Sequence, residues 1–288
     1  MARVNDKLSV LDDTKLSPAW AGAIDGCILD MDGVIYRGDT LIPEVPGFLA
    51  ALDAAGVAWS MATNNATKTQ RDYVEKLARM GIDAPEARIV TSAVATSSYL
   101  RHTYSSGTTI YVVGMDALRE AIFGDGYFVP AGRDAQVVVS GANFDLRYND
   151  LKIACLAIRA GADYVATNGD RTFPTEEGLI PGSGAIVAAL VAATDAQPVV
   201  IGKPSPEMIR SCLELMGTTA SRTLMIGDRL DTDIQAGINA GTQTLLVLTG
   251  VSTVADIQTF GIVPEVVVPT LAPVSDALGA RNPKAAGR

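Results

Sequence analysis

Gly26-Cys27-Ile28-Leu29-Asp30-Met31-Asp32-Gly33 is the stretch from which the rest of the chain is read. Its apolar half reads as a short buried strand that delivers a carboxylate at its end and a second one two residues later. Two negative groups so close repel each other unless a cation or a shared proton relieves them. An Asp-rich turn that merely ends a strand is one reading. A calcium loop is another, but its fifth position calls for an oxygen ligand and is Val34 here. What decides between them is whether other segments bring complementary groups to the same kind of place.

Downstream, apolar runs alternate with helical periodicity. Gly33 to Asp39 is turn-rich with apolar residues inside it, as in a small hairpin or flap. Pro46 to Ala55 reads as a helix with Phe48, Leu49 and Leu52 on one face. Val57 to Ala62 is a second strand that delivers Thr63-Asn64-Asn65. Thr67 and Gln70 have capping-box spacing for the next helix. Arg88 to Val90 is a third strand, followed by a helix over Ala93 to His102. From Gly107 a β-α-β-β-α-β series begins: Ile110–Val113, Ala117–Phe123, Tyr127–Val129, Val137–Val139, Asp150–Ala160 and Tyr164–Ala166. After the loop Thr167 to Arg171 and a helix around Ala185 to Ala193, the first pattern resumes. Val199–Ile201 leads to Gly202-Lys203-Pro204-Ser205-Pro206, and Thr223–Ile226 leads to Gly227-Asp228. Strands alternating with helices predict an α/β fold: a doubly wound, mostly parallel, Rossmann-like sheet with a smaller α/β domain inserted in it. The expected division is 1–106 for the first half of the core, 107–197 for the inserted cap and 198–288 for the second half of the core.

Composition narrows the function. The chain has 288 residues, 48% hydrophobic, enough for two real cores. A formal net charge of -9 argues against nucleic acid as the partner. The single histidine, His102, lies in a polar helical stretch, so a Ser-His-Asp triad or a His-ligated zinc is not expected. Cys27, Cys155 and Cys212 stand far apart in apolar surroundings, which reads as reduced core cysteines of a cytoplasmic protein. The polar N-terminus, with Asp6, Lys7, Asp12, Asp13 and Lys15, does not read as a signal peptide, and Gly279 to Arg288 is expected to fray. The longest apolar run, Ala185 to Ala193, is well short of the ~20 residues that span a bilayer, so no membrane partner is expected.

In a doubly wound sheet, ligands gather at the carboxyl ends of the strands. Four such ends carry polar groups: Asp30 and Asp32; Thr63, Asn64 and Asn65; Lys203; and Asp228 with Asp231 and Asp233. Each has an ordinary explanation alone, as a cap, a surface lysine or a turn. Gly202-Lys203 is no Walker loop, because residue 204 is proline and the glycine expected at 197 is Gln197. No Gly-x-Gly-x-x-Gly follows a strand, so a dinucleotide site lacks its signature.

Taken together and in this order, Leu29–Tyr36, Ala62–Lys68, Gly202–Met208 and Gly227–Ile234 resemble the motifs of the haloacid dehalogenase superfamily of aspartate-nucleophile phosphatases. Ala-Thr-Asn-Gly-Asp-Arg-Thr at 166 to 172, and the position of the inserted module, narrow the resemblance. They point to the p-nitrophenyl phosphatase-like branch, with its phosphoglycolate, pyridoxal phosphate and nucleotide phosphatases and its large α/β cap. The resemblance implies that Asp30 is the nucleophile that forms an aspartyl-phosphate and Asp32 the general acid and base. It implies Mg2+ held by the Asp30 carboxylate, the Asp32 main-chain carbonyl and Asp228, with Asp233 in support. Thr63, amides around Asn64 and Asn65, and Lys203 would hold the phosphoryl oxygens. The charges agree: four carboxylates against one ammonium face an anionic ester, and Mg2+ with a protonated Asp32 removes the excess. Oxygen-only ligands suit Mg2+ and not zinc.

The expected activity is Mg2+-dependent hydrolysis of small phosphate monoesters. A phosphotransferase or phosphomutase would use the same aspartate. A non-catalytic phospho-acceptor module would also phosphorylate an aspartate beside Mg2+, but would be a single small domain without Asp32. In the cap, Asn168 and Asp170 are expected to touch the leaving group; the alternative is that Asn168-Gly169 is a plain tight turn and Asp170 is solvated. Relatives with such a cap often dimerise, which makes a homodimer the family-based expectation.

Overall fold

The computed structural model describes residues 16–175 and 177–281, so the polar N-terminal residues and all but the first three residues of Gly279–Arg288 lie outside it. The described chain forms two compact units. One comprises the residues through Ala62, Leu77–Ala84 and those from Cys212 onward; the other comprises Thr63–Lys76 and Pro85–Ser211.

In the first unit, parallel strands lie in the order Val266–Val268, Gln243–Val247, Thr223–Gly227, Gly26–Asp30 and Ala58–Thr63. Ile28, Leu29, Met61, Met225, Ile226, Leu245 and Leu246 are fully buried. Such unbroken apolar runs belong to strands covered on both faces, as in parallel sheets with helices on either side. Gly26–Asp30 is the pivot. Of the strands just named, Ala58–Thr63 lies on one side of it and Thr223–Gly227, Gln243–Val247 and Val266–Val268 on the other, which makes its carboxyl end a topological switch point. The helix Val45–Ala54 packs against Ala272–Gly279. The helix Val254–Phe260 begins with a capping box in which Thr253 and Asp256 satisfy each other's backbone donors, and it ends at Gly261 with φ +66°.

The second unit has its own parallel sheet: Val199–Val200, Asp163–Ala166, Val137–Ser140, Thr109–Val113 and Val129–Pro130, in that order. Its core gathers Val113, Val138, Ala154, Ile158, Tyr164, Ile186 and Leu190. The strand Val199–Val200 pairs with Val165 and Ala166, so the chain stays in this unit through Ser211. The compact units thus divide at other points than 106/107 and 197/198. An antiparallel hairpin not foreseen from the sequence, Thr172–Thr175 with Gly178–Pro181, follows the loop at 167–171. The helix Gln70–Arg79 is capped differently from the expectation. Asp72 accepts from the Thr69 N–H at 2.7 Å and Thr69 Oγ1 from the Asp72 N–H at 3.1 Å, while Gln70 Nε2 donates to the carbonyls of Glu86 and Ile89. Thr67 instead closes a turn on Asn65.

Cys27 and Cys212 are buried free thiols, and burial pushes Cys27 far above the usual thiol range. His102 is exposed. Among the described residues no helix is long and apolar enough to cross a membrane.

Candidate active site

The first unit brings three carboxylates together. Asp30, Asp228 and Asp233 each offer one oxygen, and these oxygens lie within 4.8 Å of one another. Register explains the meeting. Leu29 is level with Ile226 on the neighbouring strand, so the chain runs out into Asp30 on one strand and Gly227-Asp228 on the next at the same height. Asp233 returns to this end through a turn of π-helix over Leu230–Ile234, in which the Ile234 N–H bonds the Arg229 carbonyl five residues back at 3.1 Å. Its carboxylate accepts from the Arg229 N–H at 3.1 Å. Asp228 and Asp233 are buried and Asp30 is partly so. Three carboxylates this close repel one another unless a cation or a shared proton relieves them, and an oxygen-only donor set suits a hard divalent ion such as Mg2+. Asp231 does not join them; it pairs with Arg229 at 3.0 Å.

Asp32 is exposed, and its carboxylate is outside the three-carboxylate group. It sits in a tight return of the chain: Gly33 N–H donates to the Tyr36 carbonyl at 2.7 Å and Ile35 N–H to the Met31 carbonyl at 2.8 Å. Tyr36–Arg37 and Thr40–Leu41 then form the small hairpin foreseen for this segment. Gly33 has φ +85°, and a Cβ on it would fall 2.5 Å from Asp228 Oδ2. Only glycine meets both demands.

A segment with no role in the sequence reading completes this end. After the strand Gln243–Val247, Val251 N–H donates to Asp228 Oδ2 at 2.7 Å and Ser252 N–H to the Asp228 carbonyl at 3.0 Å. Ser252 Oγ accepts from Leu230 N–H at 3.1 Å, and Thr249 Oγ1 donates to the Gly33 carbonyl at 2.6 Å. Arg37 Nε also donates to the Thr249 carbonyl, which ties the hairpin to the same loop. The available signal was Leu248-Thr249-Gly250-Val251-Ser252 directly beyond a strand end, with glycine where the chain must approach a side chain.

The second unit gathers the other expected residues around Asn64. Its Nδ2 donates to both Asp170 carboxylate oxygens, at 3.3 and 3.1 Å, and to the Lys203 carbonyl at 2.9 Å. Its carbonyl accepts from Asn168 Nδ2 at 2.7 Å and from Ser92 Oγ. Thr63 Oγ1 accepts from Asn65 N–H at 3.3 Å. Lys203 is only 2% exposed, an unusual burial for an ammonium and one that calls for charged or polar company. A Cβ on Gly202 would lie 2.6 Å from the Thr167 carbonyl oxygen and 2.7 Å from Asn64 Oδ1.

Comparison with known proteins follows the same lines. A family model described as haloacid dehalogenase-like hydrolase matches residues 27–127, and a second, HAD-hydrolase-like, matches 200–274. The 5'-nucleotidase YutF of Bacillus subtilis is 39% identical over 227 residues, which is 79% of this chain and 88% of that protein. The acid sugar phosphatase of Staphylococcus aureus is 38% identical over 237 residues, 82% of this chain and 91% of that protein. The solved structure of a p-nitrophenyl phosphatase from Archaeoglobus fulgidus superposes with a TM-score of 0.82 at 33% identity, covering 88% of this chain and 99% of that one.

Proposed function

Because the chain belongs to the haloacid dehalogenase-like hydrolases, in their p-nitrophenyl phosphatase-like branch, we propose that it is a Mg2+-dependent phosphatase of small phosphate monoesters working through an aspartyl-phosphate on Asp30. The observation that carries the reading is the convergence of Asp30, Asp228 and Asp233 oxygens within 4.8 Å at the switch point of a parallel sheet. Relatives that bear phosphatase and nucleotidase names supply the substrate class.

In this mechanism an Asp30 carboxylate oxygen attacks phosphorus and the bond from phosphorus to the ester oxygen breaks. Asp32 hands its proton to the departing alkoxide. Its exposure at the head of the Tyr36–Arg37 hairpin suits a group that meets a variable leaving group. Asp32 then takes a proton from water as the water attacks the acyl phosphate, which frees inorganic phosphate and restores the Asp30 carboxylate. Thr63, Asn64, Asn65 and Lys203 hold the phosphoryl oxygens, a task in which positioning and charge matter more than covalent chemistry. Mg2+, held by Asp30, Asp228 and the Asp32 carbonyl with Asp233 in support, would neutralise charge on the transferring group. Residues 107–197 act as the cap; they contribute four of the five strands of the second unit's sheet. The homodimer is proposed on family grounds, and sedimentation tests it.

The deciding experiment incubates the protein with a panel of alkyl, aryl, sugar and nucleotide phosphates, with and without EDTA. Release of phosphate from several esters, abolished by EDTA and restored by Mg2+, is the expected result. A stable phosphoprotein without turnover would mark an acceptor module, and unchanged turnover in EDTA would remove the metal.

A further inference from the structure

Asn168 and Asp170 follow a buried strand and cluster polar groups, which invites a role against substrate. Their hydrogen bonds go elsewhere. Asn168 is 5% exposed, and the hydrogens of its amide serve the Asn64 carbonyl at 2.7 Å and Thr167 Oγ1 at 3.4 Å. Its Oδ1 accepts from the Asp170 N–H at 3.1 Å. Both carboxylate oxygens of Asp170 accept from Asn64 Nδ2, at 3.3 and 3.1 Å.

The loop that carries them is gripped from behind. Gly184 N–H donates to the Asp170 carbonyl at 2.8 Å and Gly182 N–H to the Arg171 carbonyl at 3.0 Å. A Cβ on Gly182 would fall 2.4 Å from the Asp170 carbonyl oxygen, and one on Gly184 would fall 2.3 Å from that of Gly169. These glycines open the helix Ser183–Thr194 and lie flat against the loop. From there the connections run to Asn64, and from Asn64 Nδ2 to the main-chain carbonyl of Lys203 at 2.9 Å. Among the described residues Asn64 Oδ1 has no hydrogen-bond partner, and it is packed where only a glycine at 202 leaves room. Its amide orientation is thereby fixed: turning the group over would set an oxygen against the Asp170 carboxylate and the Lys203 carbonyl.

We propose that Asn168 and Asp170 are positioning residues that act through Asn64 to fix the main chain at Asn64-Asn65 and Lys203, and that they do not read the leaving group. The inference rests on the reading that these two segments hold the phosphoryl group. It separates two tasks within the second unit: the loop at 167–171 sets the phosphate-holding groups, and discrimination among esters falls to other cap residues.

The test is a cycle of Asn64→Ala, Asp170→Ala and the double variant, with Asp170→Asn and Asn168→Asp alongside. The readouts are kcat/KM on p-nitrophenyl, alkyl and nucleotide phosphates, and the inhibition constant of orthovanadate. Each alanine variant should lower kcat/KM about 10- to 100-fold, by the same factor for every ester, and raise the vanadate constant in parallel. The double variant should be no worse than the worse single one, because both remove the same link. Asp170→Asn keeps an acceptor oxygen toward Asn64 and should recover most of the loss. Asn168→Asp exchanges the donor to the Asn64 carbonyl for an acceptor and should behave like Asp170→Ala. If the alanine variants lose their melting transition, the Asp170→Asn and Asn168→Asp pair decides the question. A changed order of preference among the esters, losses that multiply, or an Asp170→Asn variant as poor as Asp170→Ala would overturn the proposal while the wild type remains a phosphatase. A wild type that is inert to the whole panel and blind to vanadate would instead sink the phosphatase reading and this role with it.

Discussion

The Val251 backbone N–H donates to Asp228 Oδ2 at 2.7 Å, so a loop far along the chain from the first acidic pair helps to aim one of the three clustered carboxylates. The preceding residue leaves no room for error: a Cβ on Gly250 would fall 1.9 Å from that same oxygen and 2.5 Å from Asp228 Cγ. Gly250→Ala must therefore move either the loop or the carboxylate. Groups that orient metal ligands are worth roughly 10–100-fold in metal affinity. The Mg2+ concentration for half activity should rise by a factor in that range, and a Mg2+ titration of the variant reads it. A half-activity concentration within twofold of wild type would show that Asp228 is not aimed from this side.

Asp30→Asn keeps the shape of the side chain and removes the charge on which the proposed attack depends. Turnover should fall to background while the melting transition persists. Mass spectrometry must exclude deamidation back to aspartate, since traces of wild type would mimic residual activity. A substantial fraction of wild-type turnover in an Asp30→Asn protein of verified mass contradicts covalent catalysis.

Asp32→Asn should cost ~10²–10⁴ in rate on an alkyl phosphate. The loss should be smaller on p-nitrophenyl phosphate, whose leaving group scarcely needs a proton. Equal losses on the two esters would take proton transfer away from Asp32.

Much of this was legible before the structure, and the reasons are physical. Cys27–Leu29 and Leu224–Ile226 are unbroken apolar runs that lead into aspartate, and buried parallel strands that carry polar groups at their ends have that pattern. Asp30, Asp228 and Asp233, grouped beforehand only by the family resemblance, have carboxylate oxygens within 4.8 Å of one another. Other features had no such signal. In the hairpin Thr172–Thr175 with Gly178–Pro181, Pro174 sits inside a strand, which speaks against strand in any sequence reading. Val199–Val200 is two residues long, too short to say which sheet it joins. The capping box at Thr69 and Asp72 did carry a signal, the same three-residue spacing that Thr67 and Gln70 have, and Thr67 is engaged with Asn65 instead. Gly250 looked like any loop glycine until Asp228 was seen against it.

Asp228→Ala and Lys203→Ala should fail differently. The first removes a carboxylate from the three-oxygen group, so its Mg2+ requirement should climb by ~10-fold or more while saturating Mg2+ restores part of the rate. The second should leave the Mg2+ requirement near that of wild type and weaken vanadate and ester binding. Truncating a buried charged partner commonly costs ~2–5 kcal/mol of interaction, so the vanadate constant should rise ~30-fold or more. Swapped signatures would exchange the assignments.

Acid should expose a structural ion pair at the root of the acidic strand. Asp25 stands immediately before Gly26–Asp30, where its carboxylate accepts from Arg222 Nε and, at 2.8 Å, from Arg222 Nη2, with Arg281 Nη2 at 3.6 Å. The hydrogen bond from Arg222, helped by the charges of both arginines, holds Asp25 below the usual carboxylate range despite the opposing effect of burial. A carboxylate whose folded value is depressed stabilises the fold fully above its unfolded value near ~3.9, and that contribution disappears as pH falls through the folded value. The side chain is 43% exposed, so water and salt screen the pair and the effect is small. Asp25→Asn should lower Tm by roughly 1–2 °C at pH 7. The gap to wild type should narrow as pH drops below about 4, and it should also shrink in about 1 M salt. Differential scanning calorimetry of both proteins from about pH 7 to about pH 3 measures it. A gap that widens toward low pH would mean that Asp25 is better accommodated protonated, the opposite of what its arginine partners require.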